Sequence, residues 1–185
     1  MGEAIRVVGL TGTNASGKGE VARYLVRKGF HYFSLSDSIR DELKRNGHPE
    51  SRENMREYGN ALRKAEGPGV LSERILPSLR DKSIVDSIRN PEEARVLERN
   101  TEFRFFLVDA PAELRFERAM ERGRMENAST LGEFLAQEAL ESSRDPNALQ
   151  LHACRKMVLQ EWTNAGDLSL LYKQVDSALS DWYGT

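Results

Sequence analysis

Near the start of the chain, Gly12-Thr13-Asn14-Ala15-Ser16-Gly17-Lys18-Gly19 sets glycine at the first and sixth positions and a lysine directly after the second. Glycine there lets the backbone fold tightly enough for successive N–H groups to converge on phosphate oxygens. Lys18 then places an ammonium where the β- and γ-phosphates of a nucleotide would lie. The bland alternative is a glycine-rich turn with a surface lysine. An apolar run before the stretch (Ile5, Val7, Val8, Leu10) and a helical pattern after it are the setting in which such a stretch binds phosphate. Gly12, Asn14, Ala15, Ser16, Gly17, Lys18, Gly19 and Glu20 are therefore the candidate nucleotide-binding residues. Position 19, where a Ser or Thr hydroxyl would ligate Mg²⁺, is glycine, so the loop supplies no direct ligand to the metal. Glu20 suits a helix start, repels an α-phosphate if it faces inward, and is expected to point outward.

Arginine marks the other candidate positions. Ser36-Asp37-Ser38-Ile39-Arg40 and Val85-Asp86-Ser87-Ile88-Arg89 each carry an Asp and an Arg three apart. On a helix, Asp37 and Arg40 share a face. A guanidinium suits phosphate because its planar fork donates bidentately and does not deprotonate. Arg63 stands near the Gly67-Pro68-Gly69 break, Arg118 and Arg122 are four apart on one helical face, and Arg144 lies in Ser142-Ser143-Arg144-Asp145. A solvated ion pair or an Arg/Glu-laced exposed helix is the plainer explanation of each alone.

The elements that would position these groups follow from hydrophobic periodicity. Strands are expected at about 5–10, 31–35, 83–85, 103–108 and 157–159. Helices are expected at about 17–28, 36–45 with Ser36 as N-cap, 51–65, 70–79, from Asn90-Pro91 onward, 111–122 and 168–179. Strands separated by helices at this spacing imply parallel β-α-β units, and the apolar fourth strand belongs in the sheet interior. Two stretches interrupt the alternation: helices rich in arginine between the second and third strands, and a polar helical stretch without a strand between Arg122 and Met157. The chain of 185 residues fits one domain.

Net charge of −2 with 30% charged residues gives a mixed-sign surface, which does not suggest nucleic-acid binding. One cysteine, Cys154, precludes an intrachain disulfide and fits a reducing compartment, with a small semi-buried residue as its ordinary role. No run of 18 apolar residues and no basic leader occur, so a cytoplasmic location without membrane contact is expected.

The Lys18-Gly19 ending of the loop resembles the adenylate-kinase-like nucleoside monophosphate kinases, although Glu20 stands where those enzymes usually carry Thr. The likeness covers nearly the whole chain, strongly at the loop and loosely in the helical insertions. It implies a P-loop three-layer α/β/α fold with a five-stranded parallel sheet, a helical acceptor-binding insertion at about 36–80 and a helical lid at about 124–147. Asp37 and Arg40 match the Gly-Asp-x-x-Arg start of the family's acceptor helix, where the arginine grips the monophosphate. Asp86 and Arg89 match its Asp-Gly-x-Pro-Arg segment, which implies that Asp86 holds Mg²⁺ through water and Arg89 is a second phosphate fork, with Arg63 a third contact. Arg118, Arg122 and Arg144 take the place of the lid arginines that neutralise the transferred phosphoryl.

The segment Leu107 to Arg118 and the turn Asn164-Ala165-Gly166-Asp167 also look much like dephospho-CoA kinases, but the loop ending and the Asp86-to-Arg89 segment depart from that family. A further resemblance is to bacterial and archaeal kinase-like proteins related to deoxynucleoside monophosphate kinases, some joined to deoxycytidylate deaminase domains. A functional link to such a deaminase is what that implies. One Cys and three His supply no deaminase zinc signature here.

The sequence thus points to an ATP- and Mg²⁺-dependent kinase acting on a nucleoside 5′-monophosphate, by resemblance a deoxynucleotide. Dephospho-CoA kinase is the alternative, and a nucleotide-binding regulator without turnover is the other class, with Glu20 as its best argument.

Overall fold

A computed structural model of the chain describes residues 4–122 and 129–183. Its centre is strand β1 (Arg6–Thr11), buried from Val7 onward. β1 pairs in parallel with β3 (Ser83–Asp86) on one side and with β4 (Glu102–Asp109) on the other. β2 (His31–Ser34) and β5 (Gln160–Thr163) form the edges, giving the order β2-β3-β1-β4-β5 with every pairing parallel. Crossover helices cover both faces, the usual condition for a parallel sheet.

Alternation along the strands divides the core in two. Val8, Leu10, Ile84, Phe106 and Val108 face α1 (Lys18–Arg27) and α9 (Leu168–Leu179) through Val21, Leu25, Leu171 and Val175. Trp162 stacks on Phe106 there, with ring centroids 4.1 Å apart. Val7, Val85 and Phe105 face the other layer, built by α2 (Leu35–Arg45), α3 (Arg52–Glu66), α4 (Val70–Ile75), α5 (Pro91–Asn100) and α8 (Leu151–Arg155). Cys154 is fully buried in that layer, deeper than expected, and burial pushes its thiol up to about 12. α6 (Ala112–Glu121) and α7 (Leu131–Ala139) pack on each other through Ala119 and Phe134 at the end of the sheet where the strands finish.

Three local expectations shift. The fifth strand is Gln160–Thr163 rather than 157–159: Met157 and Val158 pack into the second core layer, and the edge strand that follows buries only Trp162. A one-sided edge strand carries no apolar run, so its pattern misleads. The helix expected over 70–79 ends at Ile75 and tightens to a 3₁₀ turn at 76–78, because Pro77 has no N–H for the α-helical ladder. α2 begins at Leu35 instead of after a Ser36 cap, and the hydroxyls of Ser34 and Ser36 meet each other at 2.8 Å. The stretch between Arg122 and Met157 contains α7, α8 and an isolated antiparallel bridge between Ser142 and Gln150. The expected lid at 124–147 begins, with Arg124, outside the described residues. No helix among the described residues is long and apolar enough to cross a membrane.

Candidate active site

The loop of residues 12–17 connects β1 to α1 at the C-terminal edge of the sheet, where open α/β sheets bind ligands. Gly12 has φ +139° and a Cβ there would overlap the carbonyl oxygen of Val108. At Gly17, φ +106°, a Cβ would overlap the side-chain amide of Asn164. Both positions thus need glycine for conformation and for space. Ala15 holds a left-handed φ of +57°, strain of the kind that functional loops retain. Lys18 Nζ donates to the carbonyls of Gly12 and Thr13, each at 2.8 Å, and so spans the loop. Thr13 Oγ1 donates to Asp109 Oδ1 at 2.8 Å, tying the loop to the end of β4. The first turn of α1 has no side-chain cap, and the buried Ser16 hydroxyl has no partner among the described residues. Unmatched donors around an ammonium fit a polyphosphate.

Lys18 is half-buried rather than freely solvated on its loop. Desolvation, followed by repulsion from Arg89, lowers its pKa to about 8, while Asp86, Glu141 and Asp109 act in the opposite sense. Asp86, at the end of β3, is buried and accepts from Tyr32 Oη at 3.2 Å and from the Ser87 N–H at 2.5 Å. Burial, then the charge of Asp86, pushes the Tyr32 hydroxyl up to about 12, so it remains a donor.

Beside the loop opens a cavity of about 660 Å³. Asn14 lines it on the loop side, and Arg40, Arg52, Arg56, Arg63 and Arg89 line it on the side of the arginine-rich insertion. Arg40 donates to Asp37 Oδ1 at 2.6 Å, Glu50 Oε1 at 2.5 Å and Ser36 Oγ at 3.0 Å, so the shared face of Asp37 and Arg40 is realised with Asp37 exposed. Arg63 is only 2% exposed and pairs with the buried Glu93 through Nε at 2.9 Å and Nη2 at 2.7 Å. Glu93 also accepts from the N–H groups of Arg89 and Asn90, so Arg63 belongs first to the structural core of this lobe. Arg89 and Arg52 both bind Glu141, the latter at 2.6 Å.

On α6, Arg118 lies 3.3 Å from the main-chain oxygen of Asn164 and from its Oδ1. Burial, then Arg122, lowers its pKa. Arg122 and Arg144 are exposed. Gly19 is exposed, whereas Glu20 is not free in solvent: it pairs with Arg23 one turn on, and its charge also acts on Arg118.

The fold therefore brings together Lys18, Asp86 and Arg89, which the sequence separates, and sets Arg40 and Arg63 on the same cavity. Asn164, Arg52 and Glu141 were not singled out. The Asn164 turn was visible as a motif, but its contact with the loop depends on β5 lying beside β4. Nothing in the local patterns around Arg52 or Glu141 pairs one with the other.

A family model described as an AAA domain matches residues 8–143. The UPF0200 protein PYRAB09750 of Pyrococcus abyssi is 33% identical over 144 residues, covering 73% of this chain and 77% of that protein. Among solved structures, TT1252 from Thermus thermophilus superposes with a TM-score of 0.59 at 25% identity, over 97% of this chain and 98% of that one. Shikimate kinase from Acinetobacter baumannii, at 14% identity, gives the same TM-score over 97% and 95% and shows the fold alone. A P-loop fold of three α/β/α layers, of the kind that kinases such as the Acinetobacter enzyme have, is thereby shown. By the matched residues 8–143 and by its identity to the Pyrococcus protein, the chain belongs to the AAA domain family and to the UPF0200 proteins.

Proposed function

We propose that this chain transfers the γ-phosphoryl of ATP to the phosphate of a nucleoside 5′-monophosphate, with a deoxynucleotide as the first candidate. The observation that carries the reading is the arginine-lined cavity of about 660 Å³ adjoining the phosphate loop. That volume suits a small-molecule ligand, and a lining that sets five arginines against three glutamates suits an acceptor that presents a dianion.

In this reading the residues act by position and charge. Lys18 exchanges its two loop carbonyls for donor phosphate oxygens, and the uncapped first turn of α1 adds N–H donors. Mg²⁺ bound with the nucleotide would neutralise charge on the transferring group. Gly19 offers it no hydroxyl, so Asp86, acting through water, is the side chain suited to hold it. Arg89 reaches the acceptor side and Arg118 the donor side, with Arg122 and Arg144 as the further arginines to be brought in. An acceptor phosphate is already nucleophilic at neutral pH, so no base is required; catalysis is alignment plus neutralisation.

Steady-state ADP release with a panel of ribo- and deoxynucleoside monophosphates tests the proposal. Turnover with one of them is expected. If dephospho-CoA alone is phosphorylated, with Asp37→Asn abolishing activity, the acceptor is instead a ribose hydroxyl; if nothing accelerates ADP release while ATP still binds, the chain is a nucleotide sensor.

A further inference from the structure

Arg52 opens α3 and Arg89 follows β3, yet both donate to one carboxylate borne by the segment after α7. Arg52 Nη2 reaches Glu141 Oε1 at 2.6 Å, and Arg89 Nη1 binds Oε2. Glu141 is 7% exposed, and Gln137, one turn earlier, also accepts from Arg52 at 3.3 Å. Burial acts to raise the Glu141 carboxyl, and the charges of Arg89 and Arg52 outweigh it, holding the group below the usual carboxylate range. One guanidinium on each of two oxygens is the arrangement that phosphate also accepts.

We propose that Arg52 and Arg89 form the seat for the acceptor's phosphate and that Glu141 is the counter-anion which a phosphate-monoester dianion displaces. This rests on the reading of the cavity as the acceptor site. One further feature favours a phosphate over a carboxylate ligand. Arg63 lines the same cavity and is nearly fully buried, and with Nε and Nη2 taken by Glu93, its Nη1 has no partner among the described residues. A third terminal oxygen is the acceptor such a donor lacks. Displacement of Glu141 also has a mechanical consequence. Its carbonyl accepts from Leu151 N–H at 3.1 Å, and Gln150 N–H donates to the Arg89 carbonyl at 2.8 Å, so the segment joining α7 to α8 is latched to the seat. Filling the seat with phosphate releases one of its fastenings.

Inorganic phosphate serves as the probe, titrated by calorimetry against the full chain carrying Lys18→Ala, which removes the loop's ammonium. Adding Glu141→Gln removes the competing anion and is expected to tighten phosphate binding roughly tenfold, as when a binding-competent state goes from a minor to the dominant population. Adding Arg52→Met as well is expected to abolish the gain. Unchanged or weakened binding in Glu141→Gln overturns the proposal. Should that variant fail to fold, amide exchange over 141–151 in the unsubstituted chain decides instead: faster exchange with phosphate supports the seat, and unchanged exchange overturns it. The monophosphate panel separates the two ideas. No turnover together with tightened phosphate binding removes the kinase reading and leaves the seat; turnover with unaltered phosphate binding does the reverse.

Discussion

The side-chain amide of Asn164 donates to the main-chain carbonyl of Ser16 across 2.9 Å, so the turn after the last strand fastens the phosphate loop near the first. The contact is buried, and the same amide occupies the space that any side chain at Gly17 would need. The shape of the loop is thus set by the far end of the chain as well as by its own glycines. Arg118, placed against the Asn164 carbonyl, connects α6 to the same point.

Gly17→Ala is expected to displace Asn164 and distort the loop, while Asn164→Ala strips a buried carbonyl of its donor at a cost of about 1–3 kcal/mol. Both variants should melt earlier and bind a non-hydrolysable ATP analogue more weakly. Thermal unfolding with analogue titration checks this, and unchanged affinity in Asn164→Ala would dissociate that residue from the loop.

Lys18→Ala should lower turnover by about a hundred- to a thousand-fold, as for loss of one donor to a developing charge, with the fold retained. The lowered pKa adds a pH signature. Below about 8 the ammonium is charged in folded and unfolded chain alike and its burial opposes folding. That cost is relieved as pH rises from there towards the unfolded value of about 10.4. Donor phosphates favour the charged form, so affinity for the ATP analogue should fall by about tenfold between pH 7 and 9. Calorimetry across that range checks it; a flat profile would mean that Lys18 does not titrate there.

The buried Arg63 and Glu93 pair should be the most sensitive ionic contact around the arginine-lined cavity. Arg63→Met leaves Glu93 without its partner in a buried setting, a loss of about 3–5 kcal/mol. Glu93→Gln should cost at least as much, since Glu93 also accepts from the backbone at the start of α5. Urea unfolding of both variants measures it, and losses under about 1 kcal/mol would show the pair to be dispensable.

Arg40→Ala and Arg89→Ala should each raise KM for the monophosphate far more than KM for ATP, because each removes a charge-assisted contact to one substrate only. Arg40 is already neutralised by Asp37 and Glu50, so its effect should be the smaller. Equal rises in both KM values would move these arginines away from the acceptor.

The sequence by itself determined the order of strands and helices, the loop and its lysine, and the Asn90-Pro91 helix start, where the capping box with Glu93 forms. These are local matters: glycine conformation, capping and the alternation of buried positions act over a few residues. Even so, the edge strand lies at 160–163 and not at the expected 157–159, because pairing along one side and burial of Trp162 alone leave almost no periodic signal. Tertiary structure decided which arginine faces which acid. Arg63 went to Glu93, Arg89 and Arg52 met on Glu141, and Asn164 came to rest on Ser16, each across a long sequence separation. An ion pair depends on where two backbones end up in space, and spacing within one helix carries no record of that. The phosphate-loop motif was therefore legible in the sequence, while the counter-charge in the arginine-lined cavity is a product of the fold.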